Sequence, residues 1–226
     1  MKVVVLCYHK VGTEAAEGRR LNIHPDRLDS HIRFFKRRSF RFLKAKELAD
    51  WPSNPSVCFT FDDAYVSTID NGAPVFDRHQ VPMTIYAVSD WVGESSEWDG
   101  DQARPIATWD ALRDLQSRGH EIGNHTASHP HLNQLPINVQ AAEIAVCQGE
   151  MKEQGLRSES FCYPYGHLND ESVQALSLLE YKVGMALGKR PATEKDHRLK
   201  LPRIVVAYGD ALPLLLYKLH LRQKLK

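Results

Sequence analysis

The stretch VCFTFDDAYVS (residues 57–67) begins as an apolar run and stops at two adjacent carboxylates, Asp62 and Asp63. Successive side chains of a strand point to opposite faces, so a buried strand that carried both acids would place one of them in the core. If the strand ends at Phe61, both acids lie on a turn and both can face one pocket. We therefore expect a strand over 57–61 that delivers a pair of carboxylates to its carboxyl end.

Short β-type runs alternate with helical patterns along the rest of the chain. The patterns predict strands at 2–8, 57–61, 83–88, 120–123, 160–163, 181–187 and 203–207, and helices at 25–38, 67–79, 108–120, 139–154 and 170–180. This alternation predicts an α/β fold with a mostly parallel sheet, either open or closed into a barrel.

The composition indicates one domain over residues 1–226 and excludes some classes of partner. A chain of 226 residues with 42% hydrophobic residues can bury one sizeable core. The formal net charge of +1 gives no global field, so we expect no nucleic-acid binding driven by bulk charge.

The cysteines and the N-terminal run bear on the compartment. Cys7, Cys58, Cys147 and Cys162 form no C-x-x-C pair, which favours reduced, structural thiols. The apolar run within MKVVVLCYHKVG (1–12), which ends at Tyr8, His9 and Lys10, is too short for a signal-peptide core, lacks a small-residue cleavage site and resembles a first strand. No apolar stretch is long enough to span a bilayer. We expect a cytoplasmic protein.

Polar residues follow the predicted strands at one end. His9 follows strand 2–8, the acid pair follows strand 57–61, and His125 and His129 follow strand 120–123, while Tyr165 follows strand 160–163. Barrels and open α/β sheets assemble their sites at this carboxyl-end rim. The sequence therefore predicts one site that collects these side chains.

The stretch HEIGNHTASHPHL (120–132) holds two histidines four residues apart, His125 and His129. On a helical turn this spacing would put both imidazoles on one face. Two histidines and one carboxylate, with a position left for water, have the composition of a catalytic metal site. Two surface histidines are the alternative, which the acid pair on the same rim makes less favourable.

The ordered motifs TFDD (60–63), HTASH (125–129) and YPYG (163–166) resemble those of the polysaccharide deacetylase family, also called the NodB-homology or carbohydrate esterase family 4 group. YHKVG (8–12) and LPRI (201–204) extend the resemblance over most of the chain. It implies a distorted (β/α) barrel of about seven strands and a divalent metal, usually zinc. It also implies hydrolysis of an N-acetyl group from an amino sugar in a polysaccharide or glycolipid precursor.

The resemblance assigns roles residue by residue. Asp62 matches the general base, and Asp63 matches a metal ligand completed by His125 and His129. Tyr165 matches the position whose backbone N–H stabilises the oxyanion. A helix N-cap is the alternative for Asp63, and an ordinary turn aromatic is the alternative for Tyr165.

Two departures from the family pattern leave roles open. Cys162 stands where an arginine usually precedes the proline of the third motif, and the usual late histidine is missing. Some branches carry YH on the first strand instead, which makes His9 the candidate acid, with a core or turn histidine as the alternative. Arg203 is grouped with Tyr165 as a substrate-binding residue. It is also the candidate to take the place, beside Asp62, of the arginine that is missing from the third motif. Its predicted place before its strand leaves a surface charge as the alternative.

Two rival functions and the identity of the substrate also remain open. A deformylase-like amide hydrolase would keep the metal triad, and a silent carbohydrate-binding module would not need it. We expect a nucleotide- or lipid-linked N-acetylhexosamine as substrate, with Trp91, Trp98 and Trp109 as candidates to stack on sugar rings.

The C-terminal stretch pairs leucines at helical spacing with Lys218, Arg222, Lys224 and Lys226. This pattern predicts a final helix that packs on the barrel or rests on an anionic membrane surface.

Overall fold

The computed structural model describes residues 2–220. Within them the strands are β1 (Lys2–Tyr8), β2 (Lys10–Val11), β3 (Asn22–Ile23), β4 (Arg41–Leu43), β5 (Ser56–Phe61), β6 (Thr84–Ala87), β7 (Glu121–Asn124), β8 (Ser160–Cys162), β9 (Val183–Gly188), β10 (Ala192–Thr193) and β11 (Leu201–Val205). All seven strands predicted from the sequence are present. The additional ones, β2, β3, β4 and β10, are two or three residues long and too short to show a periodic pattern.

Seven parallel strands close into a barrel in the order β1, β11, β9, β8, β7, β6 and β5, and β5 pairs back with β1. The predicted distorted (β/α) barrel of about seven strands is confirmed. Its distortion is visible between β7 and β8, which share one registered pair, Asn124 with Phe161. Outside the ring, β4 pairs with the first half of β5, and β10 runs antiparallel to β1.

The pairing of β1 with β5 closes the barrel and places the residues that follow the two strands at the same level along the barrel axis. Six residue pairs are in register, from Val3 with Ser56 to Tyr8 with Phe61. Because the two strands end level, His9 and Asp62 leave them at the same height, and the backbone N–H of Asp62 donates to the carbonyl of Tyr8.

Helices surround the barrel: α1 (Glu14–Glu17), α2 (Pro25–Arg37), α3 (Ala73–His79), α4 (Trp109–Ser117), α5 (Ile137–Glu153), α6 (Asp170–Leu178) and α7 (Leu212–His220). Thr108 caps α4 as its position predicts, since its side chain accepts from the backbone N–H of Ala111. The predicted helix over 67–79 begins as a π-helical turn, Thr68–Gly72, and continues as α3. None of the helices in the described residues has the length and apolarity needed to cross a membrane.

The strands of the barrel are buried on both faces, which explains their nearly continuous apolar sequences. On β5, Phe59 and Phe61 pack outward with Phe76 of α3, while Cys58 packs with the inner layer. All four cysteines are buried and free. The buried polar side chains of these strands lie toward both ends of the barrel, with Glu121 at the amino end and Thr60, the second-last residue of β5, at the carboxyl end.

Candidate active site

A pocket of about 300 Å³ opens at the carboxyl ends of the barrel strands. Every predicted site residue lines it except Arg203, which lies directly beneath. The lining comprises His9, Arg20, Leu21, Asp62, Asp63, Trp98, Asp99, His125, His129, Tyr165, Gly166, His167, Leu187 and Val205.

The two acids that follow β5 face different partners in this pocket. The strand ends at Phe61, and the backbone then takes left-handed angles at Asp63 (φ 71°) and Ala64 (φ 56°). Both carboxylates are nearly fully buried. Because of this turn, the Asp62 side chain contacts Arg203 and the Asp63 side chain faces the two histidines.

Asp62 forms a bidentate ion pair with Arg203. Nη1 of Arg203 donates to Oδ1 at 2.6 Å and Nη2 donates to Oδ2 at 2.8 Å. Burial alone would raise the pKa of Asp62, but the charge and hydrogen bonds of Arg203 lower it to about 2. The carboxylate is thus ionised and oriented, as a proton acceptor must be.

Arg203 is placed differently from the sequence expectation. It lies in the middle of β11 rather than before a strand, and it is completely buried, so it is neither a surface charge nor a group that substrate can touch. The guanidinium spans the barrel interior and also donates to Thr60 Oγ1 at 2.9 Å, to Cys162 Sγ at 3.0 Å and to the carbonyl of Ala186 at 3.2 Å. Cys162, at the position where the resemblance implies an arginine, thus contacts a guanidinium that comes from β11 instead.

His125 and His129 converge on Asp63 without forming a helical turn. Residues 125–131 are irregular, and Thr126 and His129 have φ of 74° and 62°, so the expected helical geometry is wrong. Their Nε2 atoms nevertheless lie 3.4 and 3.3 Å from Asp63 Oδ1. The orientation of the His125 ring is fixed by a hydrogen bond on its other side, where Nδ1 donates to the carbonyl of Cys162 at 2.8 Å.

This trio fits a divalent metal. Asp63 Oδ1 is buried without a hydrogen-bond donor among the described residues. Two ligand atoms about 2.1 Å from one tetrahedral ion lie about 3.4 Å apart, which matches both separations from Asp63. The bond from His125 Nδ1 to a carbonyl leaves the Nε2 lone pair free for an ion, as in known histidine–metal sites.

His9 lies beside Asp62 at the edge of the pocket. Its Nε2 is 3.9 Å from Asp62 Oδ2, and 13% of its side chain is exposed to the pocket. Burial lowers the pKa of His9, and the nearby Asp62 and Asp63 charges only partly offset this. The ring is therefore neutral near pH 7 and reaches both Asp62 and the space above it.

Aromatic rings line the side of the pocket next to His129. Tyr165 adopts left-handed backbone angles (φ 58°), is 38% exposed and contacts the His129 ring edge-on. Trp98 stacks on His129 with ring centroids 4.4 Å apart, and Trp91 packs against Trp98. Trp109 begins α4 and packs against the core.

Several residues of the site were not singled out by the sequence. Arg20 lines the pocket from a turn and Asp99 from a short 3₁₀ helix, Glu97–Gln102, and neither segment shows a periodic apolar pattern. Thr60 carried a signal, because it is a polar residue inside an apolar strand, and it bonds both Arg203 and the Leu6 carbonyl.

Comparison with known proteins identifies the family. The sequence profile described as polysaccharide deacetylase matches residues 50–184, which is more than half of the chain. The chain belongs to the polysaccharide deacetylase family. The matched range contains both acids, both histidines and the YPYG turn.

Relatives of this deacetylase-family chain extend the similarity to most of its length. It is 23% identical over 217 residues to the Bacillus subtilis (strain 168) protein YxkH, covering 92% of this chain and 72% of the relative. It is 21% identical over 210 residues to the poly-beta-1,6-N-acetyl-D-glucosamine N-deacetylase of Staphylococcus aureus (strain MRSA252), covering 86% and 71%. The solved structure of Streptococcus pyogenes deacetylase PplD in complex with acetate superposes with a TM-score of 0.83 at 23% identity, covering 96% and 98%. The structural match shows that the fold is shared.

Proposed function

We propose that this chain is a divalent-metal-dependent hydrolase that removes an N-acetyl group from an amino sugar of a polysaccharide or glycolipid. The observation that carries the proposal is one pocket in which the ionised Asp62–Arg203 pair lies beside the buried trio of Asp63, His125 and His129. Membership in the polysaccharide deacetylase family supports it. Donors of two imidazoles and one carboxylate favour zinc among the divalent ions.

The residues of the chain supply the proton transfers. A metal held by Asp63, His125 and His129 would supply a Lewis acid for the amide carbonyl. Asp62 accepts a proton from water as the water oxygen bonds to the carbonyl carbon. The backbone N–H of Tyr165 is proposed to donate to the oxyanion. The C–N bond then breaks, the nitrogen takes a proton, and acetate and a free amine leave.

His9 is the proposed donor of the proton to the leaving nitrogen. It projects into the pocket, and its Nε2 lies 3.9 Å from the carboxylate that has just taken a proton from water. A protonated Asp62 beside Arg203 is a strong acid, which favours passing the proton on to His9. The two groups can therefore return the same proton to the product amine.

Acyl-specific product analysis tests the proposal. Zinc-loaded protein is incubated with N-acetyl and N-formyl glucosamine oligosaccharides, and acetate and formate are measured with and without chelator. We expect acetate release that chelator abolishes and zinc restores. Preferential formate release would favour a deformylase-like amidase. Binding without release of either acid would indicate a carbohydrate-binding module.

We also propose peripheral membrane contact by the C-terminal segment, which would suit a lipid-linked substrate. In α7, Leu215 and Leu219 are buried while Leu214 and Tyr217 are exposed. Arg222, Lys224 and Lys226 lie outside the described residues. Vesicle sedimentation should show binding that requires anionic lipid, weakens with salt and falls when these three are changed to glutamine. Equal recovery with neutral vesicles would leave α7 with a packing role alone.

A further inference from the structure

One side of the pocket mouth carries exposed basic residues. It is built by the segments that follow β1, β11 and β9, which are neighbours in the barrel because β11 pairs with both of the others. Arg20, after β1, lines the pocket, and Lys189, after β9, lines a second cavity beside it. An anionic group attached to the substrate would be attracted to this side.

Within the pocket, the acids are already engaged. Asp62 binds Arg203, Asp63 faces the two histidines, and Asp99 accepts from Tyr65 at 2.6 Å and from Ser96 at 3.0 Å. Arg20, which is exposed and lines the same pocket, has no carboxylate within ion-pair distance among residues 2–220. Arg20 is therefore available to pair with an anionic group of the substrate.

Further guanidinium groups lie on this side of the pocket mouth. Arg19 and Arg27 both lie over the ring of Tyr208, with guanidinium carbons 5.4 and 5.0 Å from its centroid. Arg27 also donates to the Tyr208 carbonyl, and Arg19 has a single exposed, 3.7 Å contact with Glu14. Like charges gathered at one edge of a pocket are stabilised by an anion.

An apolar groove of about 380 Å³ continues from the pocket on this side. It shares Leu187 and Val205 with the pocket and also contains Lys189. Lys189 is exposed and lacks a carboxylate partner in the part of the chain that the structure describes, whereas Lys218 at the far wall is bound by Asp210. The groove thus combines aliphatic walls with one free ammonium.

We propose that this side of the mouth is a subsite for a phosphate ester attached to the acetylated sugar, with an alkyl chain beyond the phosphate in the apolar groove. Arg20 contacts the phosphate, and Lys189 supports it from the groove. Guanidinium groups suit phosphate because several N–H donors can bind one anion. The inference rests on the proposed deacetylase function and specifies which acetylated sugars the site prefers.

Acetate release from matched probes tests the subsite. The zinc-loaded protein is given octyl N-acetylglucosaminyl phosphate, the neutral octyl N-acetylglucosaminide and uridine-diphosphate N-acetylglucosamine. We expect kcat/KM for the octyl phosphate to exceed that of the neutral glycoside by about tenfold or more, the factor that about 1.4 kcal/mol produces. This ratio should shrink as salt is raised.

Variants then locate the preference. Arg20→Gln should reduce the ratio of charged to neutral kcat/KM to about threefold or less, on the scale of one charge-assisted contact. Lys189→Gln should reduce it by a smaller factor. Arg37→Gln is the matched control, because Arg37 is an exposed arginine at the end of α2 that lines neither cavity, and it should keep the ratio.

The outcomes separate the subsite from the function. Equal rates on the octyl phosphate and the neutral glycoside would overturn the subsite and leave the deacetylase proposal intact. A preference for the nucleotide sugar over the octyl phosphate would keep the phosphate contact and overturn the alkyl groove. No acetate from any probe or from neutral oligosaccharides would overturn the function itself.

Discussion

Two carboxylates are buried at opposite ends of the same barrel, and their surroundings differ. Asp62, at the carboxyl end, is bound by the Arg203 guanidinium. Glu121, at the first residue of β7 and hence the amino end, accepts only from neutral groups: the Thr84 hydroxyl at 3.0 Å, the Lys46 backbone N–H at 3.1 Å and the Ser160 hydroxyl at 2.7 Å.

The difference shows that a partner's charge, more than burial, decides what a buried acid can do. Burial raises the pKa of Glu121, and its three hydrogen bonds do not fully offset this. The pKa of Asp62 falls to about 2 despite equal burial, because Arg203 adds a full charge. One end of the barrel thus holds an ionised carboxylate, and the other holds a carboxyl group whose pKa is raised.

Removing the charge of Arg203 should have the largest effect, since it would make the surroundings of Asp62 resemble those of Glu121. Arg203→Met leaves a buried carboxylate without its cation, which costs about 3–5 kcal/mol of unfolding free energy. The acidic limb of the pH–rate profile should also move to higher pH, because the base then protonates more readily. Urea denaturation and kcat/KM against pH measure both effects.

Two further variants control for a general loss of structure. Arg203→Lys keeps a charge and should recover part of the stability and of the profile. Asp62→Asn combined with Arg203→Met removes both charges and should regain stability without activity. A pH profile unchanged in a folded Arg203→Met would contradict the link between Arg203 and the base.

Substitution of the two neighbouring acids, Asp62 and Asp63, should have different effects on metal content. Asp62→Asn removes the proton acceptor and should lower kcat by about 10²–10⁴-fold while zinc content is retained. Asp63→Asn should lose zinc and activity together, as should His125→Ala and His129→Ala. Metal analysis beside single-turnover rates checks this, and loss of zinc from Asp62→Asn alone would reverse the assignment.

Replacing His9 should have an effect equal to or smaller than that of replacing the base. His9→Gln removes the proposed proton donor but none of the proposed metal ligands, so kcat should fall by about 10²-fold or more with zinc and fold intact. Thermal denaturation and zinc content serve as controls. Near-normal turnover in both His9→Gln and His9→Ala would exclude a donor role.

The barrel was predictable because its strands carry apolar runs that end at polar residues. Each of the seven predicted strands lies within two residues of its observed bounds at either end. The order of pairing and the β1–β5 closure could not be read from local periodicity, because they depend on contacts between distant segments.

The site was predictable where motif spacing is local and unpredictable where it depends on barrel closure. His125 and His129 reach Asp63, although through left-handed backbone rather than a helix. Arg203 reaches Asp62 across 141 positions of sequence, a contact that the resemblance suggested but that no local pattern places. Arg20 comes from an irregular segment, where side-chain position depends on tertiary packing.

The smallest expected effect concerns the other end of the barrel, where Glu121→Gln removes the acid that resists ionisation. A carboxyl group whose folded pKa is raised binds its proton more tightly in the folded state, so its contribution to stability falls as pH rises from its unfolded pKa of about 4.3 through the raised value. The variant should therefore gain stability relative to the wild type across that window and hold a constant difference above it. Urea denaturation between pH 4 and pH 8 measures how the difference in unfolding free energy between variant and wild type changes with pH. A hydrogen bond weakened by the amide would shift this difference by the same amount at every pH.

The control is Glu153→Gln, which replaces an exposed glutamate on α5 and should show no such change with pH. A difference between Glu121→Gln and wild type that stays flat with pH would mean that Glu121 ionises normally and that three neutral donors satisfy a buried carboxylate as well as a guanidinium does.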